Sequence, residues 1–229
     1  MNIDLSKLVQ KSNDEDSQWL PMSDLMSGLM ILFLFIAVSF VLNTKKVAEN
    51  YHDNQNEIYK ALKAEFAPNL EEWKAKIDKE SLTFIFTDPE VLFKTGDFSL
   101  QERFKVTLSE FFPRYIKVID SYKDSISEVR VEGHTSSEWN LKSDEDTAYF
   151  ENMRLSQDRT REVLYYIYHL SDVEQYRKWI KSNISAVGLS SSKTVNNSDG
   201  SENKEASKRV TFRIITNAEE QLQRLSEMK

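Results

Sequence analysis

From Leu20 to Leu42 the chain reads LPMSDLMSGLMILFLFIAVSFVL, 23 residues with one ionisable group, Asp24. As a helix rising about 1.5 Å per residue, the run reaches roughly 35 Å, enough to cross a ~30 Å hydrocarbon core with some tilt. A central Asp costs roughly 2.5–3.5 kcal/mol on the insertion scale, whereas each Leu, Ile, Phe or Val returns roughly 0.3–0.6. Thirteen such residues stand in the run, together contributing roughly 4–8 kcal/mol, and an Asp near a helix end costs less than a central one. Insertion wins. A cleaved signal peptide would need a basic leader, but Lys7 and Lys11 are outweighed by Asp4, Asp14, Glu15 and Asp16. No small-x-small cleavage site follows either, because the chain continues Asn43-Thr44-Lys45-Lys46. An uncleaved anchor over residues 20–43 is expected, preceded by a segment 1–19. Taken alone, Lys45 and Lys46 favour a cytoplasmic C-terminus.

The remainder of the 229 residues suffices for one well-packed core. With 40% hydrophobic and 29% charged residues, wholesale disorder is not expected. The absence of Cys excludes disulfides, thiolate metal sites and a Cys nucleophile. Three scattered His (His52, His134, His169) do not suggest a metal site, and no metal is expected. A net charge of −7 and a pI near 5.2 disfavour direct nucleic-acid binding. No nucleophile–base pair or metal-ligand spacing emerges, so an enzyme is not expected.

Asp24 has two readings. Pro21 favours a helix start and Ser23 could cap it, leaving Asp24 in a first turn where the helix dipole stabilises a carboxylate. Alternatively, an ionisable residue within a span marks a working site facing a pore or partner. The neighbours favour the second reading. Ser27 and Gly28, three and four residues on, share the face of Asp24 and permit close helix approach, with Ser23 beside it. A partner helix would take the carboxylate out of water and disfavour its charged form, so that it could take up and release a proton.

The run Trp19-Leu20-Pro21-Met22-Ser23-Asp24-Leu25-Met26-Ser27-Gly28-Leu29-Met30, followed by Ile31-Leu32-Phe33-Leu34-Phe35, resembles the membrane segment of the MotB/ExbD/TolR class. These are B subunits of ion-driven stator motors, in which one Asp of the single span carries the ion. That residue aligns with Asp24, and Ser23, Ser27 and Gly28 would lie near the pore. The match is closer to B subunits of the Zorya anti-phage defence system than to flagellar MotB, whose Tyr-Ala-Asp-Phe run is here Met-Ser-Asp-Leu.

Residues 44–80 carry Val47, Tyr51, Ile58, Leu62, Phe66, Leu70, Trp73 and Ile77 at mostly helical intervals. They predict an amphipathic helical linker interrupted at Pro68, either packed on the next domain or acting as a stalk that pairs two copies. From Ser81 strands and helices alternate. Strands are expected at 82–86, 129–133, 184–188 and 210–215, and a turn at Thr95-Gly96. Helices are expected at 99–119, with Pro113 a candidate break, and at 152–170. Residues 190–207, rich in Ser, Asn and charge, predict a mobile loop. The order βαβαββ implies an α+β domain over 81–217, with helices packed on a mixed sheet, and then a helical tail over 218–229.

Gly133-His134-Thr135-Ser136, Asn152-Met153-Arg154-Leu155-Ser156-Gln157-Asp158-Arg159 and Lys208-Arg209-Val210 are similar to motifs of the OmpA-like peptidoglycan-binding domain. The resemblance assigns Thr135, Ser136, Asn152, Leu155 and Arg159 to the binding site. Asn152 and Arg159, seven apart, share one helix face, and a guanidinium can hold a carboxylate bidentately, suiting the diaminopimelate of a cell-wall stem peptide. Ser136 departs from the family, which has an Asp there to pair with the ligand's ammonium. Glu138 or the acidic insertion 137–151 could supply that charge. A surface salt bridge to Asp158 or Glu162 is the alternative for Arg159, and orienting the turn is the structural role open to His134.

The two resemblances together imply an ion-conducting inner-membrane motor subunit anchored to peptidoglycan and acting in anti-phage defence. Its partners would be a second copy, as a homodimer, and a multi-span A subunit ringed around it, because one span cannot enclose a pore. The translocated ion would be a proton or sodium, with no other cofactor. Wall binding requires a periplasmic C-terminal domain and a cytoplasmic N-terminus, against the Lys45/Lys46 signal. A flagellar-type stator and a passive membrane-to-wall tether are the alternatives.

Overall fold

The structure, a computed structural model, describes residues 5–94, 96–140, 142–220 and 223; of residues 5–21, 48–52, 89 and 90 it describes the backbone only. The chain divides into two compact units, residues 1–49 and 50–229. Helix α1 runs from Leu5 to Phe66. Within the first unit its apolar stretch is exposed all round, as Leu25, Met30 and Phe35 at 70%, 75% and 69% show. A helix apolar on every face is one whose solvent is lipid or other helices. Residues Met22–Val47 form the one helical stretch, among the described residues, long and apolar enough to cross a membrane. Because α1 begins at Leu5, Pro21 does not start it, and Asp24 lies inside the helix rather than in its first turn. The first-turn reading of Asp24, with Ser23 as cap, is lost.

In the second unit β1 (Ala75–Asp78), β2 (Thr83–Phe86), β3 (Ile126–His134), β4 (Ile184–Gly188) and β5 (Arg209–Thr216) form one sheet in the order β1-β2-β5-β3-β4. Only β3 and β4 pair in parallel. The helices are α2 (Pro89–Leu92), α3 (Glu102–Asp120), α4 (Glu145–Tyr168), α5 (Arg177–Asn183) and α6 (Lys204–Ser207). The α+β architecture on a mixed sheet is as expected. Alternation accounts for it: Val129 and Val131 of β3, and Val210, Phe212 and Ile214 of β5, point to a core shared with Phe104, Leu108 and Phe111 of α3 and Val163 and Ile167 of α4.

The expected linker over 44–80 is not helical throughout. α1 ends at Phe66, two residues before Pro68, and 75–78 pair as strand β1, with Ala75 opposite Phe86 and Asp78 opposite Thr83. A four-residue strand inside a helical pattern has no period of its own, and pairing with β2 decides it. The domain also begins before residue 81. Ile58, Leu62 and Phe66, one helical turn apart each, are fully buried in its core. Phe66 lies 5.3 Å, centroid to centroid, from both Phe84 and Phe111. Arg114 fastens this helix end by hydrogen bonds to the Glu65 carboxylate (2.6 Å) and the Glu65 carbonyl (2.7 Å).

Three further expectations change. α3 continues through Pro113, because Phe111, Phe112, Tyr115 and Ile116 around it are buried and their packing outweighs the lost backbone bond. α4 begins at Glu145 rather than 152, with the Asp144 carboxylate accepting the Thr147 N–H at 2.8 Å as its cap. Residues 190–207 are not an open loop. They fold back through an Asn196–Glu202 bridge, an Asn203 N–H bond to the Val195 carbonyl, and α6. Of the tail expected over 218–229, residues up to 220 and residue 223 are helical, and the others lie outside the described residues.

Candidate functional site

α4 sits unusually close to the sheet. A Cβ on Gly133 would stand 2.8 Å from both the Ser156 carbonyl and the Thr160 methyl, and one on Gly188 would stand 2.5 Å from the Gln157 nitrogen. The two glycines are neighbours across β3 and β4. Only residues without a side chain let the helix lie there. Gln157 stitches the contact, accepting the Gly188 N–H at 2.8 Å and donating to the Ala186 carbonyl at 3.2 Å. This packing brings the first half of α4 over the end of β3.

A cavity of about 520 Å³ opens there, lined among others by Thr135, Ser136, Asn152, Leu155 and Arg159. All five residues assigned to the binding site therefore meet in one place, although 135–136 and 152–159 belong to different elements. Phe93, His134, Glu138, Trp139, Glu205, Lys208 and Arg209 complete most of the wall. Of these, His134, Lys208 and Arg209 stand in the runs that carried the resemblance. Phe93 and Trp139 had no sequence signal, since lone aromatics near a turn read as core.

Asn152 is buried, and its amide donates to the Ser136 carbonyl (3.1 Å) and the Glu138 carbonyl (2.9 Å). Both its N–H donors hold the 135–140 loop, which leaves its side-chain oxygen for a ligand. Arg159 makes neither of the salt bridges considered for it. Asp158 pairs with Arg154 and Glu162 with Arg161. Instead Arg159 donates to the Asp97 carbonyl (2.9 Å) and the Lys94 carbonyl (3.2 Å) and lies over the Phe93 ring at 4.7 Å. Burial pushes its guanidinium down to about 10, with Asp97 acting in the opposite direction. Arg209 is held in the same manner, donating to the carbonyls of Ser207 (3.0 Å) and Lys193 (3.0 Å), and burial lowers it too. Two partly desolvated guanidinium groups, whose hydrogen bonds among the described residues go to main-chain carbonyls, thus face one cavity. Each retains N–H donors for an anion.

His134 ends β3 with its Nε2 3.6 Å from the Glu132 carboxylate. Burial pushes His134 below its ordinary value more than Glu132 raises it. Burial pushes Glu132 up, but His134, Arg213 and the Thr211 hydroxyl outweigh it and hold the carboxyl below its usual range. The His134 Nδ1 and the Thr135 hydroxyl are buried without a hydrogen-bond partner. Such orphaned groups cost about 1–3 kcal/mol each and mark a wall poised for a further polar contact.

The acidic insertion does not charge the cavity as expected. Residues 145–151 are the first turns of α4, Asp144 is its cap, and Glu151 pairs with Arg154 at 3.0 Å. Glu138 alone of that group lines the wall, and it is ion-paired with Lys204. In the first unit Ser23, Asp24, Ser27 and Gly28 are exposed, and beyond its chain neighbours and its own helix backbone nothing lies within 4 Å of where a Gly28 Cβ would stand.

No protein-family model matches the chain. It is 43% identical to the Zorya protein ZorB of Escherichia coli strain Crooks, over 96% of this chain and 97% of that one. Among solved structures it is similar to a MotB-like protein from Desulfovibrio vulgaris, with 20% identity, a TM-score of 0.50, and coverage of 74% of this chain and 98% of that one. The periplasmic domain of Helicobacter pylori MotB matches with 15% identity and a TM-score of 0.42, covering 64% of this chain and 83% of that domain. The likeness to the Desulfovibrio protein is one of fold.

Proposed function

The chain belongs to the ZorB family of Zorya proteins, and from that membership we propose that it is the wall-anchored, ion-carrying subunit of an inner-membrane motor acting in anti-phage defence. Its single span places Asp24 in the bilayer, where the carboxyl binds and releases a proton as its contacts with a surrounding ring change. One helix supplies the carboxylate but no pore wall, so a multi-span A subunit encloses a dimer of this chain. The α+β domain lies in the periplasm and holds peptidoglycan, the N-terminus lies in the cytoplasm, and Lys45 and Lys46 are overridden by the domain's attachment.

The observation that carries this reading is the cavity at the end of β3, where the guanidinium of Arg159, partly desolvated and hydrogen-bonded among the described residues to main-chain carbonyls rather than to a carboxylate, stands with Asn152, Leu155, Thr135 and Ser136. A cation so placed is stabilised by an anionic ligand, and a stem-peptide carboxylate meets it in fork geometry. The proposed test has two arms. Asn152→Ala combined with Arg159→Ala should abolish co-sedimentation of the full chain with purified sacculi, and unchanged sedimentation rejects the wall site. Asp24→Asn should abolish proton conduction and phage protection while membrane insertion and sacculus binding persist. Full protection by that variant would leave only a tether.

A further inference from the structure

The cavity is cationic, and its acids are already occupied. Arg159, Arg209 and Lys208 face it, together with Glu138 and Glu205. Glu138 is ion-paired with Lys204, and Glu205 with Lys208 at 2.8 Å. The Glu138–Lys204 pair belongs to a wider tie between two loops, because Glu202 also accepts the Ser137 hydroxyl at 2.5 Å and the Ser137 N–H at 3.1 Å. Position 136 carries a neutral hydroxyl side chain, in a residue only 3% exposed. Among the described residues, then, no carboxylate lining the cavity lacks a lysine.

A ligand bearing both a carboxylate and a free ammonium would find partners for the first only. Its ammonium would lose water beside two guanidinium groups and gain no counter-charge, which is unfavourable on both counts. An amide at the same place carries no charge and leaves the carboxylate contacts intact. Resting on the wall-binding reading above, we propose that this cavity takes the carboxylate end of a stem peptide whose neighbouring amine is acylated, as at a cross-link, in preference to an uncross-linked end with a free ammonium. The protein would attach selectively to cross-linked wall, the fabric that bears load.

Titration calorimetry of the full chain in detergent micelles tests this with two probes, a monomeric muropeptide carrying a free diaminopimelate amine and the same muropeptide N-acetylated at that amine. The acetylated probe should bind about tenfold more tightly. Ser136→Asp, which adds a carboxylate to the wall, and Lys204→Met, which releases that of Glu138, should each shift the preference toward the free amine by about tenfold. Equal or tighter binding of the free amine by the unaltered protein overturns the selectivity and leaves wall binding standing. Binding of neither probe overturns wall binding itself.

Discussion

Consider replacing Gly188 by Ala. The added Cβ would lie 2.5 Å from the Gln157 nitrogen, and 2.8 Å from both the Gln157 Cα and the Ser156 hydroxyl oxygen. Two of these are backbone atoms that no rotamer change can move, so α4 must retreat by about 1 Å to reach ordinary contact. Overpacking of this kind costs about 1–3 kcal/mol. The retreat also stretches the hydrogen bonds that hold α4 in place, from Gly188 N–H to Gln157 (2.8 Å), from Gln157 to the Ala186 carbonyl (3.2 Å) and from Ser190 N–H to the Ser156 hydroxyl (3.1 Å). With such bonds contributing about 1 kcal/mol each and only partly lost, the total is about 2–4 kcal/mol. In a domain of this size that lowers the melting temperature by about 10 °C. Urea unfolding of the full chain in micelles, followed by tryptophan fluorescence, measures the loss, and sacculus co-sedimentation at low temperature reports on the site. Because Asn152 and Arg159 ride on the displaced helix, binding should fall even where the protein is folded. Gly28→Ala, with nothing beyond its own helix backbone and chain neighbours within 4 Å of the new Cβ, should leave domain unfolding unchanged. A stability change below about 0.5 kcal/mol for Gly188→Ala would refute the claim that close approach of α4 builds the cavity.

Phe66→Ala should destabilise the domain by about 3–5 kcal/mol, since its fully buried ring packs on Phe84 and Phe111; limited proteolysis would show it, and an unaffected digestion pattern would restore a free stalk. Stability should also depend on acid through His134. Burial holds it below its ordinary 6.5, so the unfolded chain takes up the proton first, and the contribution present above that pH declines as the pH falls through it. His134→Gln should flatten this part of the profile below the ordinary histidine value of 6.5, and identical slopes in the two proteins would exclude His134 as its source.

Local pattern was enough wherever a segment's fate rests on its own neighbours. The span around Asp24 is legible because lipid selects on length and apolarity alone, whatever the rest of the chain does. The strands at 129–133, 184–188 and 210–215 lie within or match β3, β4 and β5, because alternation encodes a buried face directly. Asn152, Leu155 and Arg159 on one helix and Thr135 and Ser136 at a strand end were likewise open to inspection as motif positions.

Partners distant in sequence decided the remainder. β1 exists because β2 offers it hydrogen bonds, and α3 survives Pro113 because the core needs its aromatics. Phe66 joins that core across an interval that a helical pattern alone reads as linker. The charge of the cavity is the clearest instance. Glu138 looks in the sequence like the missing acid, and only the chain's return 66 residues later brings Lys204 against it. Two charges that meet through the fold cancel by proximity, and proximity between distant residues is a property of tertiary packing that no local spacing encodes.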